Sequence, residues 1–198
     1  MTAPSPKIFT EAEYLALEAA SQTKHEFVGG AIVGMAGANP AHNALAMNVG
    51  AALVALTRGK GCLVLSSDQR VHVPSTGLYT YPDVTVACEE RRYGEGKPPS
   101  LLNPTLLIEV TSESSEDYDR GTKFLHYQAI AALREYVIVS HRERRIDHYR
   151  RLDTGQWLAT AYVADGAQVE LPILDGSIRL LEVYAEIDLT EGMNDSRR

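Results

Sequence analysis

The chain predicts an α/β (α+β) fold: a mixed β-sheet flanked by helices, with additional antiparallel strands toward the C-terminal end. Three observations lead there. The run "TLLIEV" (105–110) is apolar and β-branched enough for a strand buried on both faces. Leu45, Val49, Ala52, Leu53 and Leu56 recur at helical spacing. Between such segments lie turn-rich stretches, but no repeat, low-complexity tract or linker divides the 198 residues. One domain over 1–198 is therefore expected, with a frayed tail from about 190.

In chain order, Thr10 and Glu13 form a capping box that opens a short helix to about Ala19. "HEFVGGAIVGM" reads as a hairpin turning at Gly29-Gly30. Asn39-Pro40 supplies an N-cap and first position for the helix that Gly59 and Gly61 stop. "CLVLSSDQRVHV" and "TYPDVTVA" are predicted strands joined across "PSTGLYT". A polar loop, Glu89 to Asn103, leads to "TLLIEV". The next helix is expected from about Asp119, with Phe124, Tyr127, Ile130 and Ala131 inward. "REYVIVS", "RIDHYRR" and "QWLATAYV" continue as strands with a turn at Asp153-Thr154-Gly155. "AQVEL" and "SIRLL" close the fold around Asp175-Gly176.

Composition excludes several classes. No basic region precedes an apolar run at the N-terminus, and no apolar stretch approaches the roughly 18 residues that cross a bilayer. No membrane association and a cytoplasmic setting are expected. Cys62 and Cys88 sit in strand-like runs, read as buried reduced thiols, and form no zinc motif. The net charge of −7 argues against broad electrostatic attachment to nucleic acid, though not against an acidic pocket that attracts phosphate once metal fills it. The segment "HRERRIDHYRR" (141–151) is either a solvated hairpin edge or a phosphate-contacting strip.

Chemistry concentrates in three residues. Glu109 lies near the end of an apolar strand, where an unpaired carboxylate would cost several kcal/mol. Asp83 begins the preceding strand, and Lys123 lies on the following helix. Neighbouring strands would bring Asp83 and Glu109 to one side of the sheet, where a cation stabilises both as anions. Magnesium or manganese suits such oxygen donors. Lys123 could orient the attacking water or neutralise transition-state charge, and Tyr127, one helical turn on, could steady it or the phosphate. A metal-free ion pair between Glu109 and Lys123 is the bland alternative.

The succession "HEFVGGAIVGM", His42 opening a helix, "YPDVTV" and "LLIEVTSESSEDYDRGTKFLHYQAIAALREYVIV" resembles the Uma2 (DUF820) family of restriction endonuclease-like proteins, within the PD-(D/E)XK superfamily. The resemblance spans about Phe9 to Arg151. It implies a restriction-endonuclease-like sheet and a Mg2+- or Mn2+-dependent endonuclease acting on nucleic acid, DNA foremost. It also implies Asp83 and Glu109 as acidic ligands, with Glu26 as a third. The chain departs from the superfamily at Thr111, where the motif lysine normally stands; Lys123 on the following helix takes that part.

The remaining candidates have plain readings beside functional ones. Glu26 could be a surface strand residue, and His42 could cap its helix or face substrate. Asp68 and Gln69 could line the cleft with Arg70 as a phosphate contact. Asp119 could be an N-cap, and Trp157 a packing aromatic. A homodimer would suit cutting both strands of a duplex. A catalytically inactive binding or regulatory module and a hydrolase of smaller phosphoesters are the competing functions.

Overall fold

The structure, a computed structural model, describes residues 7–35, 37 and 39–189; the expected frayed tail, 190–198, lies outside them. Helix α1 (Glu11–Ala20) is closed at its start by the Thr10–Glu13 capping box. Strands β1 (His25–Val28) and β2 (Ala31–Gly34) pair antiparallel across Gly29-Gly30, whose φ angles of 57° and 84° only glycine adopts without strain. Helix α2 (Pro40–Thr57) follows, with Asn39 as N-cap.

The two long runs expected next as single strands are each broken. The first gives β3 (Leu63–Ser66) and β4 (Val71–Val73); the second gives β5 (Leu78–Thr80) and β6 (Val84–Ala87). Each run passes from one sheet to another, and Asp83 stands at the second crossing. The further elements are β7 (Leu106–Val110), a helical segment of α3 (Glu116–Tyr118), a π turn (Asp119–Lys123) and α4 (Phe124–Gln128), then β8 (Glu135–Val139), β9 (Ile146–Arg151) and β10 (Trp157–Tyr162). The hairpin β11 (Gln168–Leu171) and β12 (Gly176–Arg179) and helix α5 (Leu180–Val183) end the fold.

Six strands form one sheet in the order β10-β9-β8-β7-β6-β3, antiparallel except for the β7–β8 pair. The other sheet is antiparallel, in the order β2-β1-β5-β4. On one face of the larger sheet, Val84, Val86, Leu106, Ile108, Val137 and Val139 pack with Leu45, Val49 and Leu53 of α2 and with Ile178, Leu180 and Val183. On the other, Leu107, Tyr136 and Ile138 pack with Phe124 and Tyr127 and with Val71 and Val73 of the smaller sheet. The helical segment is thus held at the seam between sheets.

Two expectations need correction here. Cys62 and Cys88 form a disulfide rather than a reduced pair. They flank the Leu63–Ala87 pairing of β3 with β6, so the ladder itself brings them face to face. Ala131 is exposed, because the helix ends at Gln128; Phe124, Tyr127 and Ile130 turn inward as expected. Among the described residues no helix is long and apolar enough to cross a membrane.

Candidate active site

Carboxylates from three elements converge on one ammonium. Lys123 Nζ lies 3.1 Å from Glu26 Oε1, 3.3 Å from Glu109 Oε1 and 2.9 Å from Asp119 Oδ1. All four residues are buried. β1 delivers Glu26 from the smaller sheet, where Thr80 Oγ1 of adjacent β5 donates to its Oε1. β7 delivers Glu109 from the larger sheet, and Tyr127 OH donates to its Oε1 at 2.7 Å. Asp119 and Lys123 both come from the π turn. Glu26 is therefore not a surface residue, and Asp119 is not an N-cap.

Asp83 stands beside this cluster. Val84 pairs with Ile108, so one further step of the same register sets Asp83 opposite Glu109. Its carboxylate is fixed from two sides: Oδ2 accepts from the Val110 amide at 2.7 Å, and Oδ1 lies 3.0 Å from His42 Nε2. His42 reaches it from the first turn of α2, where its amide donates to the Asn39 cap at 2.8 Å. Burial depresses the His42 pKa, but the hydrogen bond and charge of Asp83 outweigh it and raise the imidazole above its usual value.

Charge in the cluster is unbalanced: three carboxylates surround one ammonium. Burial pushes the Glu109 pKa well above the usual carboxylate range; Lys123 opposes that rise, while Asp119 and Asp83 add to it. Burial would lower the Lys123 pKa, yet Glu109, Tyr127, Glu26 and Asp119 together hold it well above that of a free lysine. Two negative charges remain in excess if every carboxylate ionises. A hard divalent cation is the natural counter-charge for oxygen donors of this kind. Asp119 Oδ1, buried and 2.9 Å from Lys123 Nζ, fits the same donor chemistry. The resting arrangement is not a finished cage, however. Among the described residues no three His, Cys, Asp or Glu side chains are set to grip one ion, and Lys123 occupies the middle of the carboxylates.

The structure thus brings Glu26, Glu109, Lys123 and Tyr127 together and sets Asp83 with His42 alongside. It does not bring Arg70. That side chain is fully buried, donates to Ser100 Oγ and the Pro98 carbonyl, and stacks over the rings of Tyr14 and Tyr79. Its charge is committed to holding the 98–100 loop, not available to a phosphate. Asp68 pairs with Lys24 at the surface, and Gln69 bonds to the carbonyls of Arg70 and Pro99. Thr111, at the motif-lysine position, is buried and hydrogen-bonds to His141. Several arginines of the 141–151 strip are spent on carboxylates, Arg142 on Glu116, Arg144 on Asp165 and Arg145 on Asp147. Trp157 packs edge-on against Phe124.

Two residues of the cluster escaped the sequence reading. Asp119 carried a usable sign, its spacing of one helical turn from Lys123. Tyr118, whose ring lies 5.2 Å from Lys123 Nζ, carried none, because only the π turn brings it there.

The chain is similar to known proteins. The chain is 33% identical over 174 residues to the "Uncharacterized protein sll1609" of Synechocystis, covering 88% of this chain and 98% of that one. It is 35% identical over 184 residues to "Uncharacterized protein slr1290" of the same organism, covering 92% and 94%. Its fold matches a crystal structure of "a putative nuclease belonging to DUF820" from Anabaena variabilis. That match has a TM-score of 0.73 at 15% identity and covers 89% of this chain and 98% of that one. Residues 11–183 match the model of the Uma2 family, described as "Putative restriction endonuclease". The chain belongs to the Uma2 family.

Proposed function

We propose that this chain is a metal-dependent nuclease that hydrolyses phosphodiesters, with DNA as its substrate and Mg2+ or Mn2+ as its cofactor. The observation that carries the reading is the set of acidic side chains from adjacent strands, Asp83 and Glu109, beside the buried lysine that touches Glu109. Asp83 and Glu109 would hold the ion, with Glu26 assisting. Bound there, it would polarise a phosphoryl oxygen and acidify a water.

The chain's own residues supply the rest. His42 and the Val110 amide orient the Asp83 carboxylate, and Tyr127 orients that of Glu109. Lys123 offers the positive charge that offsets charge building on the phosphoryl group as water attacks in line and the bond to the leaving sugar oxygen breaks. A two-fold dimer would present one such site to each strand of a duplex.

Plasmid cleavage in magnesium, then in manganese, tests the reading. Wild type should nick or linearise the plasmid and Glu109→Ala should not; equal activity in the two proteins ends the assignment. One observation favours a second reading, a non-catalytic binding module: Lys123 already fills the space among the carboxylates. Calorimetric titration separates the two, since a folded protein that takes up no manganese at millimolar concentration supports the module.

A further inference from the structure

The Tyr118 hydroxyl is buried and has no hydrogen-bond partner. Such a group is costly, because it has given up water without gaining a replacement. Its surroundings place it at the acidic cluster. The ring lies 5.2 Å from Lys123 Nζ, and the charges acting on the phenol are those of Glu26, Lys123, Asp119 and Glu109, the whole cluster. None of these groups satisfies the hydroxyl, although it donates as readily as the Tyr127 hydroxyl that serves Glu109.

The backbone explains how it arrives there. In a regular α-helix, residues five apart are rotated by about 140° and face different ways. The π turn Asp119–Lys123 widens the helix at this point, so that Tyr118, five residues before Lys123, reaches it as well as Asp119, four before. Short π segments inside helices recur at functional sites. An irregular backbone and an orphan donor, independent of each other, therefore coincide beside the same lysine.

We propose that Tyr118 contacts the substrate, its hydroxyl donating a hydrogen bond to a non-bridging oxygen of a phosphodiester seated against Lys123. The inference rests on the nuclease reading for its substrate class. No covalent step is assigned to the phenol; it positions the phosphate and adds one donor to an otherwise acidic pocket.

The test uses the full chain and Tyr118→Phe, which removes only the hydroxyl oxygen. Three quantities are measured: the melting temperature, the affinity for a fluorescent duplex oligonucleotide by anisotropy in calcium, and plasmid cleavage in magnesium. A structural role would lower the melting point. The proposal expects melting unchanged or raised, since an unsatisfied polar group is lost, together with affinity reduced roughly tenfold or more. Cleavage should fall by a similar factor, through KM. Equal binding and cleavage in the two proteins overturn the proposal and leave the nuclease reading standing. Binding that depends on Tyr118 without cleavage in wild type upholds it and overturns the hydrolysis. A wild type that neither binds nor cuts overturns both.

Discussion

Two charged regions of this molecule use the same residue types to opposite ends. In the turn between β8 and β9, Arg142, Arg144 and Arg145 meet Glu116, Asp165 and Asp147, and Arg120 of the π turn joins through Asp147 and Glu116. With Glu143, which also lies near Arg145, cations and carboxylates there are matched, and several of the side chains are open to solvent. At the seam between the sheets, Lys123 alone faces Glu26, Glu109 and Asp119, all buried. Matched surface pairs are screened and contribute little; a buried, unmatched group depends on every member present. The proposed site thus coincides with the region where charge is unbalanced, not with the one where arginines are most numerous.

The most severe way to break that contrast is to remove the one cation. Lys123→Met should leave three buried carboxylates with no counter-charge, cost about 3–5 kcal/mol of stability in urea denaturation and abolish cleavage. A loss under about 1 kcal/mol would show that the carboxylates are solvated or protonated without the lysine.

A subtler change sharpens the contrast through pH. The folded-state pKa of Glu109 lies well above 4.5, so folding favours its protonated form. The associated stability is complete below the unfolded pKa and is lost as pH rises through the folded value. As pH rises above the ordinary carboxylate range, metal-free wild type should therefore lose stability relative to Glu109→Gln, which cannot titrate. Manganese should reverse the trend in wild type alone. Parallel melting curves for the two proteins across that rise would contradict an excess of negative charge at the seam.

The smallest effect belongs to the surface network. Arg144→Ala, which breaks an exposed pair with Asp165, should shift stability by less than about 1 kcal/mol and leave oligonucleotide binding intact. A large loss of binding would return the arginine strip to the substrate interface.

Local chemistry made much of the architecture legible in the sequence. The capping box at Thr10, the glycine turn at Gly29-Gly30 and the Asn39-Pro40 helix start depend on neighbouring residues alone, and each stands where the pattern put it. The apolar run holding Glu109 read as a central strand because burial on both faces leaves an uninterrupted pattern. Lys123 and Tyr127, four residues apart, both end at Glu109, one by an ion pair and the other by a hydrogen bond.

What the sequence could not show follows from long-range placement. Nothing local marks a run that crosses between sheets, so the breaks in "CLVLSSDQRVHV" and "TYPDVTVA" were invisible. Arg70 read as a free cation because its partners, the 98–100 loop and two tyrosine rings, are distant in the chain. The disulfide likewise depends on the pairing of β3 with β6.

The sequence by itself thus determined where most strands and helices begin, and that acidic groups and a lysine would have to be accommodated among them. Only the tertiary structure decided that Glu26 leaves the surface to join them, that Asp83 is held by His42, and that a widened helical turn delivers Tyr118. The physical reason is range. Caps and turns are settled by neighbours within a few residues, whereas burial and charge pairing are settled by whatever the completed sheets bring within a few ångströms.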